Sequence, residues 1–154
     1  MYELRKATLK DAKLLFEWTN DDEVRATAII KKTIAWDEHI NWLTNKLQNQ
    51  QSHIYILTDM NENIGVVRFD KENDTFVISY SIDKLHRKKG MGLLILQLGL
   101  EKIKEVNPQC KFKASVQEDN LASNIIFKKL EFSLKKTETI EGQIFNIYFK
   151  HDKQ

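Results

Sequence analysis

The sequence contains very few of the residues that cross-link or stiffen a chain. Among its 154 residues there is one cysteine, Cys110, and one proline, Pro108. A single cysteine cannot form an internal disulfide or a thiolate metal cage, so we expect a reducing, cytoplasmic setting. The four histidines are scattered without the spacing of metal ligands, and no metal site is predicted.

Long apolar runs and a strong excess of one charge are also absent. No apolar stretch approaches the roughly 20 residues of a membrane-spanning helix, and the stretch MYELRKATLKDAK has no apolar core of a secretion signal. The formal net charge is only +2, and basic residues are not interleaved with aromatic ones, which disfavours a nucleic-acid-binding module. We therefore expect one globular domain over residues 1–154 with neither a membrane nor a nucleic-acid partner.

The hydrophobic pattern predicts strands and helices in the order β-α-α-β-β-β-α-β-α-β-β. Strands are predicted at 2–7, 52–59, 63–70, 75–83 and 111–117 and in a C-terminal hairpin, and helices at 8–20, 36–50, 90–106 and 120–130, with a short helix and loop at 21–33. The fold class is therefore α/β, of the α+β type, with a mixed sheet and helices on both faces. The stretch QIFNIYFK, 143–150, is predicted as an edge strand that would suit pairing across a homodimer, although a monomer remains an open alternative.

Two of the five glycines lie together in LHRKKGMGLLIL, residues 85–96. Three basic residues precede Gly90 and Gly92, and the most apolar predicted helix begins there. The first N–H groups of a helix have no intrahelical partner and carry partial positive charge, so they suit a phosphate. Glycine at both positions removes Cβ atoms that would keep an anion from the backbone. By itself, Arg-x-x-Gly-x-Gly fits a solvated basic turn equally well.

A second motif, EDNLASNIIFKKLEF at 118–132, follows this one after a further predicted strand. Together the two motifs resemble those of the GNAT acetyltransferase superfamily, Gln/Arg-x-x-Gly-x-Gly/Ala and Asn-rich small residues followed by aromatic-x-x-Leu-Gly-Phe. The matching positions of the later motif are Asn120, Ala122, Ser123, Asn124, Phe127, Leu130 and Phe132. The resemblance covers nearly the whole chain, and it implies an enzyme that moves an acetyl group from acetyl-CoA to a primary amine.

The resemblance also implies where acetyl-CoA binds. In this family the two strands around the phosphate loop and its helix splay apart, and pantetheine lies between them; here they map to 79–83 and 114–117. Backbone groups of 80–82 would hold the acetyl carbonyl and the pantetheine amides, and Arg87 would be a phosphate ligand or a loop-shaping residue. The expected coenzyme-binding residues are Ser81, Ile82, Arg87, Lys88, Lys89, Gly90, Met91, Gly92, Asn120, Asn124 and Phe127. Helix capping is an equally good role for Asn120.

The reaction needs a base for the amine and an acid for the leaving thiolate. Many family members supply the acid from a tyrosine at the position of Phe127, which has no proton to give. Tyr80 and Tyr148 are candidates by residue type, although both also fit half-buried strand aromatics. Candidates for the base are Asp70, His39, Ser79 and Glu118. The predicted catalytic set is Tyr80, Asp70 and Ser79.

The predicted acceptor-binding residues are Arg25, His39 and Arg68, from the N-terminal helices and a middle strand. This region resembles a subgroup of bacterial acetyltransferases that act on nucleotide-linked amino sugars in surface-glycan synthesis. Either arginine would grip a diphosphate, whereas Trp18 and Trp42 are expected to pack the helices onto the sheet. The alternatives are an acetyltransferase for a protein N-terminus, such as that of a ribosomal protein, or for another small amine, and a non-catalytic acyl-CoA-binding domain.

Overall fold

The computed structural model describes residues 1–151 as one sheet with helices on both faces. The strands are β1 (Tyr2–Lys6), β2 (Ser52–Asp59), β3 (Glu62–Glu72), β4 (Thr75–Ile82), β5 (Lys111–Gln117), β6 (Ser133–Ile140) and β7 (Gln143–His151). The helices are α1 (Ala12–Thr19), α2 (Asp22–Thr27), α3 (Trp36–Gln48), α4 (Met91–Val106) and α5 (Leu121–Lys129). The predicted elements are confirmed, including the short helix predicted within 21–33, which is α2 with six residues. No helix within residues 1–151 is long and apolar enough to cross a bilayer.

The strand order is β1-β2-β3-β4-β5-β7-β6. Each neighbouring pair is antiparallel except β4 and β5, which run parallel. The prediction that 143–150 forms an edge strand is wrong, because β7 lies between β5 and β6 and its backbone is paired on both sides. The hydrophobic pattern did not indicate that β7 pairs with β5. Because it does, β6 lies at the edge of the sheet.

The alternating side chains of β2 show how the sheet is covered on both faces. Ile54 and Ile56 pack in the cluster under α1 and α3, whereas Tyr55 and Leu57 belong to the larger cluster under α4 and α5. Successive side chains of a strand point to opposite faces, so a central strand buried on both sides has a continuous apolar run. The sheet is therefore the middle layer of three.

The parallel pair β4 and β5 is joined at one end only. The strands pair over 75–77 and 111–113, whereas β4 remains paired with β3 as far as Ile82 and β5 with β7 as far as Gln117. The facing edges beyond residue 77 of β4 and residue 113 of β5 therefore have no backbone partner in the sheet. This confirms the splayed pair that the sequence resemblance implied, and the gap fixes the location of the site.

Candidate active site

The gap between β4 and β5 opens into a cavity of about 630 Å³. One part of its wall is formed by the open edges of these strands and the start of α5, the other by α1, α2, α3 and the segment 28–34. Its charged lining residues are Arg25, Glu38 and Arg68. A concave, mostly apolar space with a few placed polar groups is typical of small-molecule sites.

The loop before α4 has the backbone of an anion-binding turn. Lys88 and Gly90 both adopt left-handed conformations, with φ of 63° and 79°. Gly90 is the N-cap of α4 and no side chain caps that helix, so the N–H groups of its first turn are available to an external acceptor. A Cβ on Gly90 would meet nothing within 4 Å, and the exposed Lys88 and Lys89 add positive charge beside the turn.

Gly92 has a different role from the one that the sequence suggested. A Cβ at this position would lie 2.9 Å from Ile126 Cδ1 and 3.3 Å from Tyr80 Cε2. The missing side chain therefore allows α4 to pack closely on α5 and β4. The expectation that Gly92 leaves room for an anion is corrected, because its vacant Cβ position faces protein side chains.

The guanidinium of Arg87, in the loop before α4, is bound by protein groups on all three of its nitrogens. Its Nη2 donates to Asp21 Oδ1 at 2.8 Å, its Nη1 to Glu23 Oε2 at 3.1 Å, and its Nε to the Ile82 carbonyl at 3.0 Å. This geometry fits the loop-shaping alternative and argues against a direct phosphate ligand. Neither Arg87 nor Ile82 lines the cavity, and the loop residues 88–92 lie outside it as well.

The two motif asparagines differ in what they contact. Asn124 is buried; its Nδ2 donates to the carbonyls of Asn120 and Gln117 at 2.8 and 3.1 Å, and its Oδ1 accepts from Tyr148 Oη at 2.6 Å and from Asn146. Asn124 fixes the turn between β5 and α5, and neither Asn124 nor Tyr148 lines the cavity. Asn120 lines the cavity and caps α5 through the Ser123 N–H at 3.4 Å.

Tyr80 and Ser123 place a pair of hydrogen-bonded hydroxyls on the cavity wall. Phe127 also lines the cavity and packs edge-on against the Tyr80 ring, with 6.2 Å between centroids. Burial raises the pKa of Tyr80, and the bond to Ser123 offsets this only in part. The phenol therefore keeps its proton at neutral pH. Ser123 was predicted only as a motif position, and a small residue in the first turn of α5 gives no sequence signal of this contact.

The structure contradicts Asp70 as a base. Its carboxylate accepts from Arg68 Nε at 2.7 Å, Ser52 Oγ at 2.7 Å and Lys46 Nζ at 3.0 Å, and it does not line the cavity. Burial raises the pKa of Asp70, but these three partners lower it by more. A carboxylate so paired is a poor proton acceptor. Ser79, by contrast, is exposed and lines the cavity.

The three side chains predicted to bind the acceptor, Arg25, His39 and Arg68, all line the cavity. Each comes from a different helix or strand. Arg25 donates through Nη1 to the carbonyls of Ile30 and Lys32, and its Nε is buried without a partner in the described residues. Arg68 lies over the Trp42 ring, with 4.9 Å from Cζ to the centroid, and within residues 1–151 its terminal nitrogens make no hydrogen bond.

His39 is the third of these side chains, and it is almost fully buried. Its Nε2 lies 2.9 Å from the Ala12 carbonyl. Because a carbonyl only accepts, Nε2 carries the proton and Nδ1 the lone pair. Burial lowers the pKa of His39, and the bond to Ala12 offsets this in part. The ring is therefore neutral at pH 7.

Residues 2–133 match the family model of the acetyltransferase (GNAT) domain. The chain belongs to the GNAT acetyltransferase family. It is therefore an acyltransferase, an N-acetyltransferase that uses acetyl-CoA. No curated protein sequence matches the chain.

Solved structures of GNAT enzymes share the fold at low sequence identity. Spermidine N-acetyltransferase from Vibrio cholerae, in complex with CoA and spermine, has a TM-score of 0.89 at 14% identity over 98% of this chain and 95% of that one. RimL, a ribosomal L7/L12 alpha-N-protein acetyltransferase in complex with coenzyme A, has 0.83 at 19% identity over 97% and 93%. An aminoglycoside acetyltransferase in complex with coenzyme A has 0.79 at 18% identity over 98% and 95%.

Proposed function

We propose that this enzyme acetylates the amino group of an acceptor that carries an anionic group, and specifically a nucleotide-linked amino sugar of surface-glycan synthesis. The observation that carries the proposal is the buried Nε of Arg25, which has no partner among the described residues. A buried donor without an acceptor costs free energy, and a phosphate oxygen of the acceptor would remove that cost. The terminal nitrogens of Arg68 offer a second contact in the same cavity.

The charge of the cavity favours this acceptor over a polyamine. Among the described lining residues, Glu38 is the one acidic side chain, whereas two, Arg25 and Arg68, are basic and permanently charged. Its Oε1 already accepts from the Ala35 N–H at 3.4 Å, at the start of α3. A polycation would need several carboxylates to offset the loss of its hydration. The lining supports an acceptor with one amine and at least one anionic group.

The donor side fits acetyl-CoA through its backbone. The open edges of β4 and β5 offer unpaired N–H and C=O groups to the pantetheine amides, and the uncapped turn at Gly90 and Met91 offers N–H groups to the pyrophosphate. Bound acetyl-CoA supplies a thioester that an amine attacks directly. Ser81 lies on the open edge of β4 and lines the cavity, as do Asn120 and Phe127.

Tyr80 is the group that we assign to protonate the leaving thiolate, in place of the tyrosine that Phe127 replaces. Its hydroxyl lies on the cavity wall, and Ser123 hydrogen-bonds it, so the phenolate left after proton transfer would be stabilised by Ser123 Oγ. Ser79 and His39 are the members of the predicted base set that line the cavity. His39 has the lone pair, on Nδ1, that would receive the amine proton through water, whereas the Ser79 hydroxyl is not basic and would only relay it.

The test is release of the coenzyme thiol from acetyl-CoA with a panel of amines: a nucleotide-linked amino sugar, spermidine and a ribosomal-protein N-terminal peptide. We expect kcat/KM for the nucleotide sugar to exceed that for spermidine by about 100-fold, because a charge-assisted hydrogen bond to each arginine is worth about 1.5–3 kcal/mol. Arg25→Gln should remove about tenfold or more of that preference.

Arg5→Gln is the matched control, because Arg5 bonds to Asp11 and Asn63 and does not line the cavity. This variant should keep the preference of the wild type. A higher kcat/KM for spermidine or the peptide would contradict the anionic acceptor while leaving acetyl transfer intact. Binding of coenzyme A without turnover of any amine would instead identify a non-catalytic acyl-CoA-binding domain.

A further inference from the structure

Arg87 connects the loop before α4, residues 87–92 (the coenzyme loop), with α2, the helix that carries Arg25. Its Nε is fixed to the Ile82 carbonyl at the end of β4, and its two terminal nitrogens reach Asp21 and Glu23 at the start of α2. Arg87 is 64 residues from Glu23 and 66 residues from Asp21 along the chain. One guanidinium therefore bridges the two binding regions.

The contact with Asp21 is placed where it controls the helix. Asp21 is the N-cap of α2, and the same Oδ1 that binds Arg87 accepts the N–H groups of Glu23 and Val24 at 3.1 and 3.3 Å. The two side chains of the ion pair are only 22% and 18% exposed, so water screens this pair less than a surface pair. Burial raises the pKa of Asp21, but Arg87 and the capping N–H groups lower it by more and keep it charged.

The segment that follows α2 forms part of the acceptor wall and is held on the opposite side of the gap. Lys31 Nζ donates to Gln117 Oε1 at 2.8 Å, at the last residue of β5. Asn20 exchanges two hydrogen bonds with the backbone of Ile34, at 2.8 and 2.9 Å. Arg25 thus lies on a strap, residues 20–34, that is tied to the coenzyme loop by Arg87 and to β5 by Lys31.

We propose that Arg87 is a positioning residue that couples binding of the coenzyme to the order of this strap. The inference rests on the proposed donor and acceptor sites. An anion on the N–H groups of 88–92 restrains the backbone of the loop, the loop restrains Arg87, and Arg87 restrains the N-cap of α2 and with it Arg25. Sites that share an ordering step in this way bind their ligands cooperatively.

Backbone hydrogen exchange, measured with and without coenzyme A, tests the coupling without requiring the acceptor. In the wild type, coenzyme A should slow exchange of the amides in 22–34 by about fivefold to tenfold. In Arg87→Gln the slowing should fall below about twofold, while the dissociation constant for coenzyme A, measured by calorimetry, changes by less than about threefold. Asp21→Asn should behave in the same way, because asparagine keeps the N-cap oxygen but removes the charge.

Lys88→Gln is the control within the same loop, because Lys88 is exposed and the ion pairs with Asp21 and Glu23 at the start of α2 are made by Arg87. It should weaken coenzyme A binding yet keep the slowing in 22–34. The inference is overturned if coenzyme A leaves exchange in 22–34 unchanged in the wild type, or if Arg87→Gln keeps the slowing. It is also overturned if Arg87→Gln weakens coenzyme A binding tenfold and Asp21→Asn does not, since Arg87 would then be a phosphate ligand. Failure of the wild type to bind coenzyme A would overturn the proposed function itself.

Discussion

The proposed donor side of the site and its proposed acceptor side are built from different parts of the chain. The donor side is mainly backbone: the open edges of β4 and β5 and an uncapped helix start beyond a left-handed glycine. The acceptor side is mainly side chains, with Arg25 from α2, His39 from α3 and Arg68 from β3. A backbone site tolerates many substitutions as long as the fold persists, whereas a side-chain site changes its ligand with each residue.

This difference predicts that the two sides respond differently to mutation. Variants of the donor side should change the affinity for coenzyme A only where they change the backbone or remove a charge of Lys88 or Lys89. Variants of the acceptor side should change which amine is used and leave coenzyme A affinity nearly constant. Tyr80 lies between the two, because it is a side chain on the donor strand.

Tyr80→Phe is therefore expected to have the largest effect, a fall in kcat of about 100-fold, which is within the range for loss of a general acid. The phenol must be protonated to act, and its pKa is raised by burial. Wild-type kcat should then decline as the pH rises through that pKa. The Phe variant should lose this alkaline decline, and Ser123→Ala should shift it. The pH profile of kcat in the three proteins is the measurement.

Tyr148→Phe is the control for this experiment. Tyr148 is also a buried tyrosine with a hydrogen-bonded hydroxyl, at 2.6 Å from Asn124 Oδ1, but it does not line the cavity. Its variant should unfold at a lower temperature and keep the wild-type pH profile. If kcat of Tyr80→Phe equals that of the wild type, Tyr80 is not the acid, and water protonates the leaving thiolate instead.

Gly90→Ala tests the backbone character of the donor side, and Gly142→Ala is its matched control. The two glycines have φ of 79° and 76°, and a Cβ on either would meet nothing within 4 Å. Each alanine should cost about 1 kcal/mol of stability, because a left-handed conformation strains any residue with a Cβ. Only Gly90→Ala should also weaken coenzyme A binding, by about tenfold. Calorimetric titration and thermal unfolding of both variants measure the two effects.

Equal loss of coenzyme A affinity in the two glycine variants would contradict this assignment of the loop. Gly92 is less suitable for the test, because a Cβ there would meet Ile126 and Tyr80. A bulky residue at position 92 would disturb the packing of α4 and would not separate binding from folding.

The helix start and the strands of the proposed donor side could be predicted from the sequence for a physical reason. Their determinants are local: glycines beside basic residues at a helix start, a capping asparagine at 120, and apolar runs of period two and 3.6. The splay of β4 and β5 came from the family resemblance, since no local pattern states where two distant strands cease to pair. The position of β7 inside the sheet is non-local in the same way, and its prediction failed.

For the proposed acceptor side, the sequence indicated only which residue types could take part. Arg68 and Asp70 are two residues apart on β3 and both were candidates, yet Lys46 and Ser52 hold Asp70 outside the cavity. The ion pairs of Arg87 with α2 join residues more than 60 positions apart. Such contacts depend on tertiary packing, so a sequence pattern indicates which residues take part but not which of them form ion pairs with each other.

The histidine of the acceptor side makes that side sensitive to acid. Burial lowers the pKa of His39 below its unfolded value, so the charged ring favours the unfolded chain. The resulting stability is present above the unfolded pKa, about 6.5, and is lost as the pH falls through the folded value. His39→Gln should flatten the decrease in the free energy of unfolding between pH 7 and 5, as measured by urea titration at several pH values.

His151→Gln is the control, because His151 is exposed at the end of β7. Its curve should follow that of the wild type. His53 has a pKa lowered by burial and by Lys6 and raised in part by Asp70, so some pH dependence should persist in His39→Gln. An unchanged slope in that variant would show that His39 titrates alike in the folded and unfolded chains.

The smallest effect is expected at the closed end of the gap, where β4 and β5 still pair. Lys111 Nζ bonds Asp74 Oδ2 at 2.8 Å, but both side chains are largely exposed, and such pairs contribute little. The closed end is held instead by buried Phe76 and Phe112, which are in register with ring centroids 6.1 Å apart. Lys111→Ala should therefore leave the unfolding temperature and the coenzyme A affinity at wild-type values. A weaker coenzyme A affinity would mean that a surface ion pair sets the width of the gap, and that the donor side also depends on its side chains.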